Sequence, residues 1–272
     1  MSRILKPLKY GSLLLWSAIA IIPLVAVVLA SFKTQIELQT SSPFTFPNQV
    51  NFDNYVTAFN DGRMASGFVN TMLILAFSVT GTVIIGAMTA YALDRFDFRG
   101  KKLVYGAFLL AVLVPGVTTQ VATFQVVNKL GLYDTRLAPI LLYMGTDIVS
   151  IYIFLQFIRA IPKELDEAAM LEGAGSFRIF WQIIFPLLKP AIATVVIIKG
   201  FASYNEFYIP FLYMPSADLG VISTSLFRFM GPFGAHWEII SAGVIIVILP
   251  TLLTFLFLQR YIYNGYSQGA VK

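Results

Sequence analysis

No cysteine occurs in the 272 residues, and His236 is the single histidine. Disulfides and thiolate-held metals are therefore excluded, as is any metal site built on several imidazoles. His236 is expected in a solvated or interfacial loop. Charge is scarce too. Asp, Glu, Lys and Arg make up 12% of the chain, about half the ~25% of an ordinary soluble domain. A surface so poor in charge would aggregate in water, so the expected solvent is lipid. The sequence contains no G-x-x-x-x-G-K-[ST], H-E-x-x-H or G-x-S-x-G, which removes phosphate-loop hydrolysis of ATP, zinc-peptidase chemistry and the nucleophile elbow. No catalytic constellation is left, so the chain is not expected to be an enzyme or to bind a metal or cofactor of its own. Neither an internal repeat nor a long linker divides it. Residues 1–272 read as one membrane domain.

What is present is apolar sequence. Hydrophobic residues make up 57%, and mean hydropathy is +0.76. A bilayer core of about 30 Å takes roughly 20 apolar residues per helix. Six segments qualify: Leu13–Phe32, Phe68–Leu93, Leu103–Val127, Pro139–Ile158, Pro190–Tyr213 and Ile239–Leu258. The expected fold is all-α and polytopic, with six transmembrane helices. The third, fourth and fifth runs are the least clean, because Pro115, Asp147, Lys199 and Glu206 interrupt them. Val28-Leu29-Ala30 resembles a signal-peptide cleavage site, but the preceding apolar run is longer than an ordinary signal core. An uncleaved first helix is expected.

The net charge of +5 is explained by where the charges lie. With the N-terminus cytoplasmic, thirteen of the nineteen Lys and Arg residues fall inside, among them Arg3, Lys6, Arg95, Arg99, Arg159, Arg260 and Lys272. Five fall outside (Lys33, Arg63, Lys129, Arg136 and Arg228), and Lys199 stays in the membrane. Positive residues favour the cytoplasm, so both termini are expected there. The basic balance is an orientation signal, and nucleic acid is not an expected partner. Longer outside loops run near Lys33–Gly67 and Met214–Glu238. The first, with QTSSPFTFPNQVNFDNY, is rich in turn residues and suits a surface for an external partner.

Between the fourth and fifth runs lies ELDEAAMLEGAGSFRIFWQIIFPLLKP, cytoplasmic by the charge count. Pro162 suits the first turn of a helix, and Glu164, Asp166 and Glu167 then meet the positive end of its dipole. Leu165, Ala168, Ala169 and Glu172 follow at i, i+3, i+4 and i+7 and are expected on one face, where small alanines admit another backbone. Gly173 is placed to end the helix in the left-handed conformation. Ser176 is placed to cap a second helix, Phe177–Phe185, which Pro186 would stop. The unit over 162–186 is helix, glycine elbow, helix. On physical grounds it fits equally an amphipathic connector on lipid headgroups and a docking element for a soluble partner.

At these residues the sequence resembles the EAA signature of ABC importer permeases, E-A-A-x-x-D-G-A followed by I-x-L-P. Glu167, Ala168, Ala169, Gly173, Ala174, Ile183 and Pro186 match. Glu172 stands where the family usually has Asp, and Phe185 where it often has Leu. VNFDNYVTAF, NKLGLYDT, YNEF and the terminal GAVK are also similar to carbohydrate-uptake permeases of the type of the smaller maltose-importer subunit. The resemblance implies a second permease subunit, two cytoplasmic ATPase subunits that hold ATP and magnesium, and an extracytoplasmic solute-binding protein. It implies a multi-pass protein of a bacterial or archaeal cell membrane. The EAA elbow, Glu167 to Gly173 with Ala174 and Pro186, would be the coupling helix seated in an ATPase groove, and the tail Gly269–Lys272 would reach the ATPase dimer.

Charges inside the membrane complete the picture. Asp147 lies about eight residues from the outer end of its run, or ~12 Å, and Lys199 about nine from the inner end of the next, or ~14 Å. In a ~30 Å core these depths nearly agree, so Asp147 and Lys199 are expected to pair. The pair suits a helix–helix tie as well as a solute contact. Asn205 and Glu206, flanked by Tyr204 and Phe207, suit a translocation pathway, since sugars take hydrogen bonds and apolar stacking. Taken singly, each aromatic ring fits ordinary packing or an interface belt better than a pathway wall. Two other functions compete with sugar import. One is a same-family permease for a glycerol-phosphate-type anion, which a single Lys199 serves poorly. The other is an ion-coupled carrier, which would ordinarily show a repeat and need no cytoplasmic elbow.

Overall fold

The computed structural model describes residues 2–270 apart from 146, 232 and 233. It describes the side chains of 9–257 and 259 apart from 117 and those three. Val271 and Lys272 of the tail, and the side chains of Arg3, Lys6 and Arg260, lie outside the described residues.

The described chain is mostly helical. In order come α1 (Ser2–Ser31), α2 (Gln35–Thr40), α3 (Asp53–Asp61), α4 (Met64–Arg95), α5 (Lys101–Leu113), α6 (Gly116–Lys129), α7 (Leu137–Gly145) and α8 (Ile148–Arg159). Then follow α9 (Glu164–Leu171), α10 (Ser176–Ile179), a π-helical turn (Phe180–Ile184), α11 (Phe185–Leu187), α12 (Lys189–Asn205) and α13 (Tyr208–Tyr213). A 3-10 turn (Ser225–Phe229), a two-residue hairpin of β1 (Met230–Gly231) and β2 (Gly234–Ala235), and α14 (Trp237–Ala270) end the chain. The hairpin is antiparallel, Met230 opposite Ala235.

Three helices are long and apolar enough to cross a membrane unbroken: Lys9–Ser31, Met64–Arg95 and Trp237–Phe257. Three further candidates are bent pairs. α5 with α6 bends by 107°, α7 with α8 by 45°, and the 176–187 segment with α12 by 74°. Most bends have a visible cause. Val114, ahead of Pro115, is extended with ψ 115°, as the proline ring requires of its predecessor. Asp147 has left helical geometry at φ −89°, ψ 75° and precedes α8. Glu206 is extended with ψ 124°, which separates α12 from α13. The fifth apolar run is therefore two helices.

The chain packs as two compact units. One comprises residues 1–68 and 221–254, the other 69–220 and 255–272. In the first, residues 33–62 are ordered structure rather than a bare loop. Asn54 donates from Nδ2 to the Ser31 and Lys33 carbonyls at 2.9 and 2.8 Å, closing the end of α1. Lys33 is fully buried. Its ammonium donates to Ser41 Oγ, the Ser42 carbonyl and Thr45 Oγ1 at 2.8–3.0 Å. Three donors meet three neutral oxygens, which is how a buried lysine stays solvated without a carboxylate. Phe32, Phe52 and Tyr55 pack over the same corner, with Phe32 5.3 Å from Tyr55.

In the second unit the main core draws Val83, Ala87, Ala90, Tyr91 and Leu93 of α4 against Phe154, Leu155 and Ile158 of α8. Ala169, Ile179, Phe180 and Ile184 of the 164–184 segment and Leu188, Ala191 and Val195 complete it. α4 presents small residues to α8. A Cβ at Gly86 would stand 3.2 Å from the ring of Phe154, which is itself fully buried. In lipid, where no hydrophobic effect pushes helices together, such close backbone approach and dispersion contact hold them. A second cluster, Val127, Ala138 and Tyr213, joins α6, α7 and α13.

Candidate functional site

The 164–187 segment follows from its sequence almost residue by residue. Glu164, Asp166 and Glu167 occupy the first turn of α9. Gly173 ends it with φ +84°. Its N–H donates to the Met170 carbonyl and that of Ala174 to the Ala169 carbonyl, both at 3.0 Å. These two bonds form a Schellman cap, which needs a left-handed residue where Gly173 stands. Nothing lies within 4 Å of a Cβ built there, so the glycine is required by backbone angle rather than by space.

Four local expectations are corrected. The expected common face of Leu165, Ala168, Ala169 and Glu172 is divided. Ala169 is buried in the core, while Leu165, Ala168 and Glu172 are exposed. The buried stripe is Asp166 and Ala169, because α4 and Phe180 lie under that side. Ser176 does not cap α10; Gly175 holds the cap position with no side-chain bond, and Ser176 is the first helical residue. Pro186 does not stop the second helix but lies in the first turn of α11. Proline lacks an N–H and crowds the carbonyl four residues back. The chain accommodates it by widening the preceding turn, where Phe185 N–H donates to the Phe180 carbonyl five residues back. The direction changes at Leu188 instead. Pro162 also falls just outside α9, whose cap residue is Lys163.

The outward side of the elbow carries Glu167, Ala168, Glu172 and Gly173, all exposed, with Ala174 half-buried. Large apolar side chains stand among them. Leu171 is 91% exposed and Phe177 70%, with Met170 and Leu165 also out. Lys163 and Arg178 are exposed beside them, so charges of both signs surround the protruding apolar side chains.

The inward side holds residues that sequence reasoning did not single out. Asp166 accepts from Tyr91 Oη at 2.9 Å and from Arg95 Nε at 3.1 Å. Arg95 also donates from Nη1 to Asp94 Oδ2 at 2.6 Å and from Nη2 to the Ile161 carbonyl at 2.8 Å. Asp94 faces Arg159 Nε at 3.7 Å. Side chains of Arg95 and Asp166 are each 6% exposed. One signal was available in the sequence: Asp166 and Ala169 are three apart, and a carboxylate on the stripe of a buried alanine needs a cation. Nearby, Asp97 is fully exposed, and its hydrogen bond and charge interaction with Lys101 hold its carboxyl below the ordinary value.

Among the residues expected along a solute pathway, the structure brings two together. Lys199 Nζ lies 3.1 Å from Asp147 Oδ1, and Ser150 Oγ also donates to Asp147. The other four have local partners or packing of their own. Tyr204 is buried in helix packing. The Asn205 amide donates back to the Phe201 carbonyl at 2.9 Å. Glu206 Oε1 accepts from the Tyr208 N–H at 2.8 Å and from that of Ile209, so it caps α13 across the break. The ring of Phe207 stacks on Phe211 at 5.0 Å. Among the described residues no three His, Asp or Glu side chains cluster tightly enough to hold a metal ion.

Broken apolar helices, an intramembrane ion pair and an exposed elbow define a membrane permease, and comparison with known proteins agrees. Residues 17–267 match the family described as the binding-protein-dependent transport system inner membrane component. The diacetylchitobiose uptake system permease protein NgcG of Streptomyces coelicolor is 30% identical over 268 residues, 97% of this chain and 88% of that one. The arabinooligosaccharides transport system permease protein AraQ of Halalkalibacterium halodurans is 31% identical, covering 93% and 92%. The melibiose/raffinose/stachyose import permease protein MelC of Bacillus subtilis is 30% identical, covering 92% and 91%. A chain of a bacterial ABC transporter involved in alginate import shares the fold, with a TM-score of 0.81 at 20% identity over 95% and 96% of the two chains. The chain belongs to the family of inner membrane components of binding-protein-dependent transport systems.

Proposed function

We propose that this chain is a permease subunit of an ATP-driven importer for sugars or oligosaccharides, working by alternating access. The observation that carries the reading is the elbow. A rigid α9 ended by Gly173 holds out Glu167, Leu171 and the following Glu172, with Phe177 exposed on α10 beyond the elbow, and is packed on its other side into the core shared with α4 and α8. A soluble ATPase closing on that surface would pull on the membrane helices through a compact body rather than a slack loop. ATP shifts the membrane equilibrium only if the docked contact differs between states.

In this reading each of the six apolar runs makes one crossing, α5 with α6, α7 with α8 and α12 with α13 each counting as a single span, and both termini are cytoplasmic in a bacterial or archaeal cell membrane. A second permease subunit completes the pathway. Two ATPase subunits hold ATP and magnesium, and an extracytoplasmic solute-binding protein delivers the solute. The relatives named for chitobiose, arabinooligosaccharide and raffinose-type uptake support a carbohydrate solute, and a relative by fold has been seen with an alginate-bound periplasmic protein.

The test is uptake of labelled oligosaccharide by cells carrying the assembled system. Depleting ATP while the proton gradient is kept should stop uptake, whereas an ion-coupled carrier would continue. Gly173→Trp should separate ATP hydrolysis from uptake or block assembly, since a non-glycine residue in left-handed geometry costs about 1–2 kcal/mol. Full uptake by Gly173→Trp would overturn the coupling role.

A further inference from the structure

Five side chains at the inner end of α4 form a closed run of alternating groups: Arg159, Asp94, Arg95, Asp166 and Tyr91. Its two cations balance its two anions. Three of the carboxylates in the first turn of α9 have the same helix dipole before them, yet Glu164 and Glu167 are exposed and Asp166 is buried. Asp166 is gripped at both oxygens by residues one helical turn apart on α4, Tyr91 on Oδ1 and Arg95 on Oδ2. Both bonds end on one carboxylate, so they fix where Asp166 stands along α4 and resist sliding, while rolling of α9 about that point is resisted by buried Ala169. Arg95 extends the grip to the chain entering α9 through the Ile161 carbonyl. One turn further along, Ala169 sits in the core beside Tyr91 and Phe180, and the ring of Phe180 is 5.4 Å from that of Tyr91.

We propose that Asp166 is a positioning residue for transport: through Tyr91 and Arg95 it makes α9 and the inner end of α4 move as one body. This rests on the coupling reading given above. Displacement imposed on the exposed face of the elbow is then delivered to α4 instead of being absorbed at the joint. Breaking a buried pair leaves an uncompensated charge, so the attachment holds through a cycle in which weaker contacts re-form.

The test uses the assembled transporter in lipid nanodiscs. The chain has no cysteine, so spin labels can be placed on exposed Phe77 of α4 and exposed Glu164 of α9 through F77C and E164C. With the clamp intact, the distance between labels should be the same without nucleotide and with ATP trapped. In Asp166→Asn it should change or broaden between states. Solute imported per ATP hydrolysed should fall about tenfold, within the span of measured site-to-site couplings, while hydrolysis continues. Tyr91→Phe, which keeps the ion pair, should show a smaller fall in the same ratio and decides the matter if Asp166→Asn does not assemble. A label distance that changes between states with the clamp intact, or a wild-type transport ratio in the deciding variant, overturns the clamp and leaves the coupling reading standing. If the unmodified assembly imports solute without ATP, both fall together.

Discussion

The two ends of α4 are fastened by different chemistry. At one end buried Asn70, itself neutral, bonds two backbone carbonyls and one arginine. Its Nδ2 donates to the Asp218 and Gly220 carbonyls, both at 2.9 Å, and its Oδ1 accepts from Arg136 Nε at 2.9 Å. Close by, Asp134 takes the Ser216 N–H at 3.0 Å and gives its own N–H to the Tyr213 carbonyl at 2.8 Å. About 25 residues along, or ~37 Å, Arg95 is fastened to carboxylates. An amide hub ties backbone to side chain and holds loops in place. A buried ion pair ties helix to helix and is costly to open half-way. The first suits a fixed frame, and the second suits a joint through which force passes.

Three variants would break or sharpen that contrast. The largest effect is expected at the ionic end. Arg95→Ala strands Asp166 in the core and should lower stability by about 3–5 kcal/mol, read as loss of thermal stability of the purified subunit in detergent. A loss no larger than that at Asn70 would erase the distinction. Asn70→Ala leaves two carbonyls short of a donor and should cost about 1–3 kcal/mol in the same measurement, with little dependence on salt. The smallest effect is expected at the solvent-exposed Lys101–Asp97 pair. Because the folded Asp97 value is lowered, its contribution is present above the ordinary aspartate value and is lost as pH falls through the lowered one. Lys101→Ala should bring the Asp97 titration back up, followed by carboxyl carbon NMR, with stability at neutral pH almost unchanged because exposed pairs contribute little.

The sequence made some of this legible. Three of the apolar runs return as unbroken helices. Of the four residues that spoiled the others, Pro115, Asp147 and Glu206 stand at breaks in the helices, while Lys199 lies inside α12. Simple depth arithmetic brought Asp147 to Lys199, because two buried charges of opposite sign on adjacent spans have few other places to go. Gly173 was legible because only glycine readily takes the left-handed cap. Other features were hidden for physical reasons. Glu164, Asp166 and Glu167 look alike in one dimension, and which of them turns inward is set by where α4 lies. Lys33 was assigned to an outer loop, with no sign that it would be buried among neutral oxygens. No charge pattern announces such a cage, since hydroxyls and carbonyls occur everywhere. Glu206 was read as a pathway group, and no pattern in the sequence marked that its Oε1 also accepts from the Tyr208 and Ile209 N–H groups across the break.

The widened turn at Phe180–Ile184 has a consequence for how this protein tolerates change. A π-helical turn amounts to an α-helix carrying one surplus residue, and each residue of an α-helix advances the chain by about 100°. Losing one residue there would let the turn relax to ordinary α geometry and leave Phe177 and the glycine elbow facing as they do, because the wide turn already absorbs the surplus. The same deletion in the regular helix of α12 would swing everything before it by about that angle. A single deletion along 180–184 should therefore be forgiven far more readily than one in α12.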